Sequence, residues 1–509
     1  MKQNYVSLPL ALALAFILHP SSFLLAQGLL TPPGAPAPTM KTLDQIEPRK
    51  EVNATNTPGN GGSLFIITAP GSYYLSGNIT GVSGRNGIQI QSPGVTLDLN
   101  GFEIRGVAGS LVGIRAFAGE HLHLRNGAIR GWGGNGVDVS TAFSTFENLR
   151  CGGNGAIGMR VTSGAVIRGC IASGNTGDGF FCVSVSGNTN SQATVLENCV
   201  ANGNGGHGFN FGTSASLHNC VAEFSGGDGI SATVSYSVTA TNCTVVSNTG
   251  SGISVAGSST LTGCTAKSNT GSDGIFAGDG STLTNCTARD NTGTYGIRAG
   301  VGSSLANCTA HSNDAEFGIH AGDRSTLSNC TASVNASAAA DSWGIFAGAQ
   351  CTVSQCTASG NLNTNGTPTG STGGGIVAGN GSTVQNCTVA ANKGDGIRVF
   401  NDSVVAGNTC DSNGLPVGTG DGGGIHASSS DNRIEGNNVT DNTRGIDVDS
   451  AGNLIIKNSA AGNATNYEIA ANNFYGAIVD RTGQLTAAVS GNSAAPSAGT
   501  TDPWSNFSY

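Results

Sequence analysis

The feature that most constrains this chain is a repeated segment of 22 residues. Neighbouring copies begin at Ser281, Ser303 and Ser325 and read STLTNCTARDNTGTYGIRAG, SSLANCTAHSNDAEFGIHAG and STLSNCTASVN. The cysteines give the period directly, because consecutive members of one set are 22 positions apart: Cys264, Cys286, Cys308 and Cys330. A unit this short cannot bury an apolar face alone, so neighbouring copies must stack on one another. The chain is therefore predicted to be a solenoid.

Aligned copies place the same residue types in columns. An apolar column contains Leu217, Leu261, Leu283, Leu305, Leu327, Val353 and Val384. Three positions later lies a cysteine column, which contains Cys170, Cys199, Cys220, Cys243, Cys264, Cys286, Cys308, Cys330, Cys356 and Cys387. Five positions further, asparagine recurs at Asn175, Asn204, Asn248, Asn269, Asn291, Asn313, Asn392, Asn413, Asn442 and Asn463. A Gly-Ile pair then opens the next strand. Since side chains alternate along a strand, Ile297 and Ala299 are predicted to point inward and Arg298 outward.

The composition agrees with short strands joined by tight turns. The chain has 80 Gly in 509 residues, only 10% charged and 6% aromatic residues, and no segment with helical periodicity. A leucine-rich repeat would need several Leu per unit, and a left-handed β-helix favours multiples of six residues. The predicted fold is all-β, a right-handed parallel β-helix of roughly 16–17 rungs between Gly87 and Ile478 with caps at both ends.

One stretch makes a family resemblance specific. Residues Ile434 to Ile446 read IEGNNVTDNTRGI, which resembles the parallel β-helix repeat of NosD-like proteins. The same superfold is similar to that of pectate lyases, polygalacturonases and other polysaccharide-active proteins. The resemblance implies the fold for most of the chain. It does not imply an activity, because this fold supports many functions.

The 14 cysteines admit two interpretations, a disulfide framework or a stack of buried thiols. Cysteines on successive rungs lie about 4.8 Å apart with parallel Cβ directions, whereas a relaxed disulfide needs Cβ atoms about 3.8 Å apart. The spacing therefore favours free thiols that pack as small apolar side chains. Asn residues directly before Cys form a further column, at Asn198, Asn219, Asn242, Asn285, Asn307, Asn329 and Asn386. We expect these amides to stack at a bend and satisfy buried polar groups.

The two ends differ from the repeats. Lys2, the apolar run from Val6 to Leu18 and the small residue Ala26 predict a signal peptide over residues 1–26. Residues 27–62 are expected to be a flexible leader, residues 63–86 an N-terminal cap and residues 87–480 the β-helix. Residues 481–509 are either a cap or a tail with a recognition end, and they contain Trp504, Phe507 and Tyr509. The mature protein is predicted to be secreted, periplasmic or on the cell surface, with no membrane span.

Charge limits the partners of this chain. The formal net charge is −9, and the 22 Lys and Arg residues are scattered. Nucleic acids and anionic membranes are attracted by clustered basic residues, so neither is expected as a partner. No cofactor is implied, and no metal, because GGDGISA at Gly226 does not satisfy the calcium-binding nonapeptide. The oligomeric state stays open.

Three polar residues are the candidates for catalysis. Asp178 and Asp228 flank His207 in the column two residues before the Gly-Ile isoleucine. Two rungs separate these carboxylates by about 10 Å, near the upper limit of the separation in inverting glycosidases. Asp-Gly before a strand is also ordinary turn chemistry, which is the alternative interpretation.

Two columns are the candidates for ligand binding. The outward column after each Gly-Ile contains Arg115, Asp138, Arg160, Phe181, Arg298, His320, Phe346, Arg398, His426 and Asp447. Arg298 and His320 lie one rung apart, a pairing suited to an acidic sugar. The column two residues before Ile contains Tyr295, Phe317 and Trp343, which are predicted to form a platform for a glycan. The alternatives are a solvated face in the first case and aromatic rings that turn inward in the second.

Three functions are consistent with these columns. The first is an exported protein that binds a polysaccharide or another cell-surface polymer along its flank. The second is a carbohydrate-active enzyme, either a polysaccharide lyase or a glycoside hydrolase. The third is a periplasmic accessory protein of the NosD kind.

Overall fold

The structure is a computed structural model, and it describes residues 48–117, 120–184, 192–232, 237–337, 342–363, 374–414, 422–480 and 501–509. The predicted signal peptide and the leader up to residue 47 lie outside these residues. Residues Arg49–Tyr509 form one structural unit. The described residues form strands and no helix. They therefore include no helix that could cross a membrane.

Each turn of the chain contributes strands to three faces. Face 1 holds Ser63–Ile67, Asn86–Ile90, Ile114–Ala116, Val137–Val139, Met159–Thr162, Phe180–Val183, Phe209–Phe211, Ile230–Ala232, Ile253–Val255, Asp273–Ala277, Thr292–Ala299, Asp314–Ala321, Trp343–Ala347, Gly374–Ala378, Ile397–Val399, Gly423–Ala427, Arg444–Val448 and Thr465–Ile469. Two short strands, Ala336–Ser337 and Leu362–Asn363, extend this sheet at its edge.

Faces 2 and 3 belong to one sheet. Face 2 holds Lys50–Glu51, Gly71–Tyr74, Val95–Asp98, Val166–Arg168, Thr194–Glu197, Ala215–His218, Val238–Thr241, Thr260–Thr262, Thr282–Thr284, Ser304–Ala306, Thr326–Ser328, Thr352–Ser354, Thr383–Gln385, Val404–Ala406, Arg433–Glu435, Leu454–Ile456 and Phe474–Tyr475. Two long strands, His123–Arg130 and Thr145–Gly152, run through faces 2 and 3. Face 3 holds Ile79–Thr80, Glu103–Arg105, Ile171–Ser173, Val200–Asn202, Val221–Glu223, Thr244–Val246, Thr265–Lys267, Thr287–Arg289, Thr309–His311, Thr331–Ser333, Thr357–Ser359, Thr388–Ala390, Thr409–Asp411, Asn438–Thr440, Ser459–Ala461, Ile478–Asp480 and Asn506–Ser508.

The strand register confirms the predicted repeat. Every strand pairs in parallel with its counterpart on the next turn, as in the series Leu261, Leu283, Leu305 and Leu327. The solenoid has about 18 turns. The first of them uses Ser63–Ile67 and Gly71–Tyr74, which pair in register with Asn86–Ile90 and Val95–Asp98. The segment predicted as an N-terminal cap therefore already has the strand pattern of a turn.

One apolar core runs along the inside of the turns. It extends from Val52 to Ile455, and the predicted inward residues Ile297 and Ala299 are 0% and 1% exposed. The corner before each inward Ile leaves no room for a side chain. A Cβ atom on Gly296 would lie 2.6 Å from the carbonyl oxygen of Gly318, which explains the Gly-Ile pairs.

The cysteine prediction is confirmed. All 14 cysteines are buried free thiols. The Sγ atom of Cys286 lies 3.5 Å from the carbonyl oxygens of Leu261 and Thr284, and either oxygen can accept its single S–H. The ten thiols of the cysteine column thus fill the corner between faces 2 and 3, whereas Cys151 and Cys410 lie on face 3 and Cys182 on face 1.

The asparagine column that contains Asn291 forms a buried ladder at the corner between faces 3 and 1, although amide stacking was predicted for the asparagines directly before the cysteines. The amide of Asn291 accepts from Asn269 and donates to Asn313 at 2.9 Å and to the carbonyl oxygen of Ala266 at 3.0 Å. The ladder contains three further members that the sequence alignment missed: Asn154, Asn335 and Asn361. A shorter ladder continues the cysteine column through Asn408, Asn437, Asn458 and Asn506.

The asparagines directly before the cysteines lie at a bend, but they are exposed rather than buried. Their backbone adopts the left-handed conformation, with φ of 54° at Asn307. Asn is favoured there because it tolerates positive φ better than most residues. Backbone geometry, and not satisfaction of buried polar groups, therefore explains this column.

The N-terminal boundary differs from the sequence prediction. Residues 49–62 were expected to belong to the flexible leader, yet Lys50 and Glu51 pair with Tyr73 and Tyr74. The amide oxygen of Asn53 accepts from the backbone N–H of Asn56 at 2.8 Å and forms a turn. The partners of this strand lie more than 20 positions away, so local composition gives no sign of the pairing.

The C-terminal residues return to the solenoid. Asn506–Ser508 pairs in parallel with Ser459–Ala461 and with Ile478–Asp480. The hydroxyl of Tyr467 donates to the carbonyl oxygen of Phe507 at 2.9 Å. Residues 501–509 therefore add a strand to the last turn, whereas residues 481–500 lie outside the described residues.

Candidate functional site

The candidate residues lie on face 1 or, in the case of Asp178, His207 and Asp228, in the turns directly before its strands. Its outward column runs without interruption through consecutive turns, as strand pairing shows: Gln89, Arg115, Asp138, Arg160, Phe181, Asn210, Ser231, Ser254, Phe276, Arg298, His320, Phe346, Val377, Arg398, His426, Asp447 and Glu468. The neighbouring column pairs Asp273, Tyr295, Phe317, Trp343 and Gly374.

Planar side chains of both columns meet on four consecutive turns. We call this surface the aromatic face and define it as Phe276, Tyr295, Arg298, Phe317, His320 and Phe346. The rings of Tyr295 and Phe317 stack at 5.5 Å, and those of His320 and Phe346 at 4.8 Å. Phe317 also meets His320 and Phe346 edge to face, at 5.6 and 5.3 Å. The two columns therefore form one continuous surface of partly exposed rings.

Trp343 departs from the predicted platform. Trp343 pairs with Phe317 of the preceding turn, but only 6% of the surface of Trp343 is exposed. Its indole lies against Gly374, where an added Cβ would be 2.5 Å from Cζ3 of the ring. The absence of a side chain at Gly374 lets the indole lie flat over the next turn. Of the three predicted aromatics, Tyr295 and Phe317 face outward and Trp343 is buried.

Arg298 is held between two rings of the aromatic face. Its guanidinium carbon lies 4.8 Å from the ring centroid of Phe276 and 4.9 Å from that of Tyr295. On the same column Arg160 pairs with Asp138 at 2.9 Å, whereas Arg115 and Arg398 lie over the rings of Phe117 and Phe400. Among the described residues no carboxylate forms an ion pair with Arg298. Two cation–π contacts thus orient a guanidinium that has no carboxylate within ion-pair distance in the described part of the chain.

Two buried polar atoms lie beside this guanidinium. His320 Nδ1 and Asp273 Oδ1 have no hydrogen-bond partner within the described part of the chain. Burial, together with the charge of Arg298, lowers the pKa of His320 to about 4, so its imidazole is neutral at pH 7. Burial raises the pKa of Asp273, which is 7% exposed. Buried polar atoms are normally satisfied, so both atoms retain capacity for a hydrogen bond.

Asp178, His207 and Asp228 are brought together, but their polar atoms bond to the backbone of the next turn. Asp178 Oδ1 accepts from the N–H of His207 at 2.7 Å, and His207 Nδ1 accepts from the N–H of Asp228 at 2.9 Å. Asp228 Oδ1 in turn accepts from the N–H of Ser251 at 2.8 Å. These side chains connect successive turns, in the same way as the asparagine ladders.

The family model described as a right handed beta helix region matches residues 86–260, 209–282, 228–367, 273–414 and 347–492. These matches cover most of the chain. The chain belongs to the right-handed β-helix family. None of the curated proteins matches its sequence.

Several solved structures align with this right-handed β-helix protein. The A-module of the mannuronan C-5 epimerase AlgE6 from Azotobacter vinelandii is 13% identical, covers 79% of this chain and 88% of its own, and has a TM-score of 0.25. The periplasmic alginate epimerase AlgG is 12% identical, with coverages of 79% and 78% and a TM-score of 0.25. The tailspike protein 3 of bacteriophage CBA120 is 13% identical, with coverages of 69% and 54% and a TM-score of 0.32.

The right-handed β-helix protein also contains an ionic cluster that the sequence analysis did not identify. His426 is 1% exposed, and its ring bonds Asp395 through Nδ1 at 2.8 Å and Asp449 through Nε2 at 2.9 Å. Arg444 pairs with Asp447 at 2.7 Å. His426 and Asp447 were predicted only as members of the outward column. The sequence contains one indication of this cluster, since Asp395 occupies the same column as the candidate residue Asp178.

The charge state of His426 is set by the carboxylates around it. Burial disfavours the charged ring, but hydrogen bonds and attraction from Asp395, with smaller effects of Asp449 and Asp447, raise the pKa of His426 to about 9. Ligand-type atoms of His426, Asp447 and Asp449 lie within 4.8 Å of one another. Both ring nitrogens of His426 contact carboxylates and Arg444 pairs with Asp447, so the described side chains form an ion network.

Proposed function

We propose that the protein binds an acidic polysaccharide along face 1, with the aromatic face as its binding surface. The supporting observation is the run of planar side chains over four consecutive turns, with the guanidinium of Arg298 held between Phe276 and Tyr295. Aromatic residues are only 6% of the chain, so their concentration here is pronounced. We base the proposal on this surface, because Asp178, His207 and Asp228 each already accept a hydrogen bond from a backbone amide of the next turn.

The spacing of the turns suits a linear ligand. Successive strands are about 4.8 Å apart, so a chain that lies along the solenoid axis meets a new ring on each turn. A sugar ring has an apolar face of C–H groups, and an aromatic ring covers that face while the hydroxyls stay in water. Tyr295 and Phe317 supply such rings on neighbouring turns.

Charge and hydrogen bonding define the expected ligand class. Arg298 is a planar donor that matches a carboxylate, so it favours a uronic acid over a neutral sugar. His320 is neutral, and its free Nδ1 offers a polar contact without adding charge. Asp273 lies deeper and is available to a hydroxyl group.

We also propose that the protein acts outside the cytoplasm, since residues 1–26 have the pattern of a signal peptide. N-terminal sequencing of protein recovered from the native host tests this proposal. Mature protein is expected to begin near Gln27. Recovery of a chain that retains Met1 in the cytosol would contradict it.

A panel of purified polysaccharides tests the binding proposal. The full mature chain is run on affinity gels that contain alginate, polygalacturonate or the neutral polymer dextran, while unsaturated products and reducing ends are followed in solution. We expect retardation by an acidic polymer without product formation. Phe317→Ala and Arg298→Gln are each expected to weaken retention about tenfold, the effect of one lost aromatic or charge-assisted contact.

Phe181→Ala is the matched control, because Phe181 lies on the same outward column, several turns away. It is expected to bind like the wild type. Equal loss in the control, or no retention by any polymer, would refute the proposal. Product formation would instead support the second candidate, a carbohydrate-active enzyme. Trp343→Ala is not informative on its own, because burial of this indole makes loss of folding a competing cause.

A further inference from the structure

A separate cleft lies at the C-terminal turns, on face 2 rather than face 1. Its volume is about 450 Å³, within the range of about 300–1,000 Å³ that is usual for small-ligand sites. Strand pairing places Arg433, Leu454 and Phe474 in one outward column on three successive turns. Trp504 and Asp502 belong to the returning C-terminal segment and close the other side of the cleft.

The lining differs from the rest of face 2. Equivalent outward positions on earlier turns are small and polar, as in Thr282, Ser304 and Thr326. At the last turns this column becomes apolar, and large rings remain exposed. Phe474 is 69% exposed, Tyr475 57% and Trp504 49%. Exposed rings grouped around a concavity are typical of a binding surface.

Trp504 is fixed in place although half of it is exposed. Its carbonyl oxygen accepts from the N–H of Lys457 at 3.3 Å, and its own N–H donates to Asp502 Oδ1 at 2.9 Å. The ammonium group of Lys457 lies 4.4 Å from the ring centroid and pairs with Glu435 at 3.0 Å. The indole is therefore oriented before any ligand arrives, which lowers the entropic cost of binding.

We infer that this cleft binds a neutral sugar unit, as a monosaccharide, a disaccharide or the end of a glycan. Arg433 and Lys457 both pair with Glu435, and Asp502 adds a second negative charge, so the positive and negative charges around the cleft balance and it attracts neither anions nor cations as a class. A neutral ligand with many hydroxyls suits such a lining, because hydroxyls both donate to carboxylates and accept from guanidinium groups. The apolar face of a sugar ring fits Trp504 and Phe474, and the volume accepts one or two rings.

Tryptophan fluorescence gives a direct readout of this site. The chain has three tryptophans, and Trp132 and Trp343 are buried at 1% and 6% exposure. Quenching by acrylamide therefore reports mainly on Trp504. The full mature chain is titrated with mono- and disaccharides of glucose, galactose, mannose and N-acetylglucosamine. We expect one of them to protect the fluorescence from acrylamide and to shift the emission to shorter wavelength in a saturable way.

Variants assign the response to the cleft. Trp504→Phe is expected to abolish the fluorescence change, and Trp504→Ala to weaken calorimetric binding about tenfold or more. Phe224→Ala is the matched control, because Phe224 is 60% exposed on another part of the solenoid. It is expected to leave the affinity unchanged. Thermal melting shows whether each variant keeps its fold.

The result that overturns the inference is a flat titration with every sugar of the panel. A response that persists in Trp504→Phe would overturn it as well, because the signal would then come from another tryptophan. The proposal for face 1 is tested separately by acidic polymers and by Phe317→Ala. Failure of one site therefore leaves the outcome for the other unaffected.

Discussion

At the scale of single residues, the inward positions of strands and corners make cysteine a packing residue. Cys182 and Cys410 are 0% exposed, and burial raises the pKa of both thiols. Burial likewise raises the pKa of Cys170 to about 12. A thiol reacts as the thiolate, so a group that is both inaccessible and hard to ionise is inert. This explains how an unusual number of free thiols is compatible with the fold.

Alkylation tests this interpretation of the cysteines. Native protein treated with iodoacetamide at pH 8 is expected to carry few or no labels in intact-mass spectra, because all 14 thiols are buried. The same protein in 6 M guanidinium chloride should take up all 14. The denatured, unreduced sample serves as the control for disulfides. A mass that corresponds to predominant disulfides would contradict the thiol stack.

His426 is the residue whose titration should affect stability most visibly. The groups that face it are Asp395, Asp447, Asp449 and Arg444. The pKa of the folded imidazole is raised to about 9 from an unfolded value of 6.5. Its stabilising effect is therefore complete below pH 6.5 and is lost as the pH rises through about 9. The lost free energy of unfolding is roughly 3 kcal/mol, taken as 1.36 kcal/mol per pKa unit.

Melting curves between pH 6 and pH 10 check this pH dependence. The wild type is expected to lose stability across the interval, most steeply between the unfolded pKa of 6.5 and the folded pKa of about 9. His426→Gln should be less stable at pH 6 and should show a much flatter pH profile, because the group that titrates is gone. Equal slopes in the two proteins would show that other groups cause the pH dependence.

At the scale of elements, the turns are held in register by side-chain ladders as well as by strands. Asn291 illustrates this, since its amide bonds the turn before and the turn after. Its Nδ2 atom also satisfies the carbonyl oxygen of Ala266. A buried amide in such a ladder is costly to remove, because several partners lose their hydrogen bonds at once.

Asn291→Ala is predicted to lower the free energy of unfolding by about 3 kcal/mol, since two or more buried groups are left unsatisfied. Asn307→Gly is the matched control. Asn307 is exposed at a corner with φ of 54°, a conformation that glycine adopts freely. Urea denaturation followed by circular dichroism measures both variants. Similar losses in the two variants would contradict the different roles of the two asparagine columns.

At the scale of the whole solenoid, stability is the sum of similar units and their interfaces. Thr244 pairs with Thr265, so the chain that follows Cys243 and the chain that follows Cys264 have the same register. Removal of residues 244–264 joins equivalent positions and takes out one complete turn. The neighbouring turns then meet with their columns intact, because Ala240 comes to lie beside Leu283 in the inward column.

Deletion of residues 244–264 is therefore predicted to leave a soluble, cooperatively folded protein with a melting temperature within a few degrees of the wild type. Deletion of residues 244–254 removes about half a turn and shifts inward residues to outward positions. The shorter deletion should be the more damaging one, with aggregation or loss of the β-sheet spectrum. Equal tolerance of both deletions would contradict a strict register.

The sequence alone determined the architecture and the register of this protein. The columns of Leu305, Cys308 and Asn313 follow from the 22-residue period, because each repeat has the same environment and can be aligned with its neighbours. The prediction that the cysteines are free thiols also needed only the distance between strands. Repetition makes these features local, which is why they were accessible without coordinates.

Only the tertiary structure decided which outward side chains are buried and which neighbours they contact. Phe317 and Trp343 occupy one column, yet only Trp343 is buried. On the following turn Trp343 meets Gly374, which leaves room for the indole, whereas Phe317 meets the large side chain of Trp343. The His426 cluster joins side chains from three turns, and the returning strand at Asn506 completes the last turn. These outcomes depend on contacts between residues 20 to 50 positions apart that do not recur, so no periodic pattern reveals them.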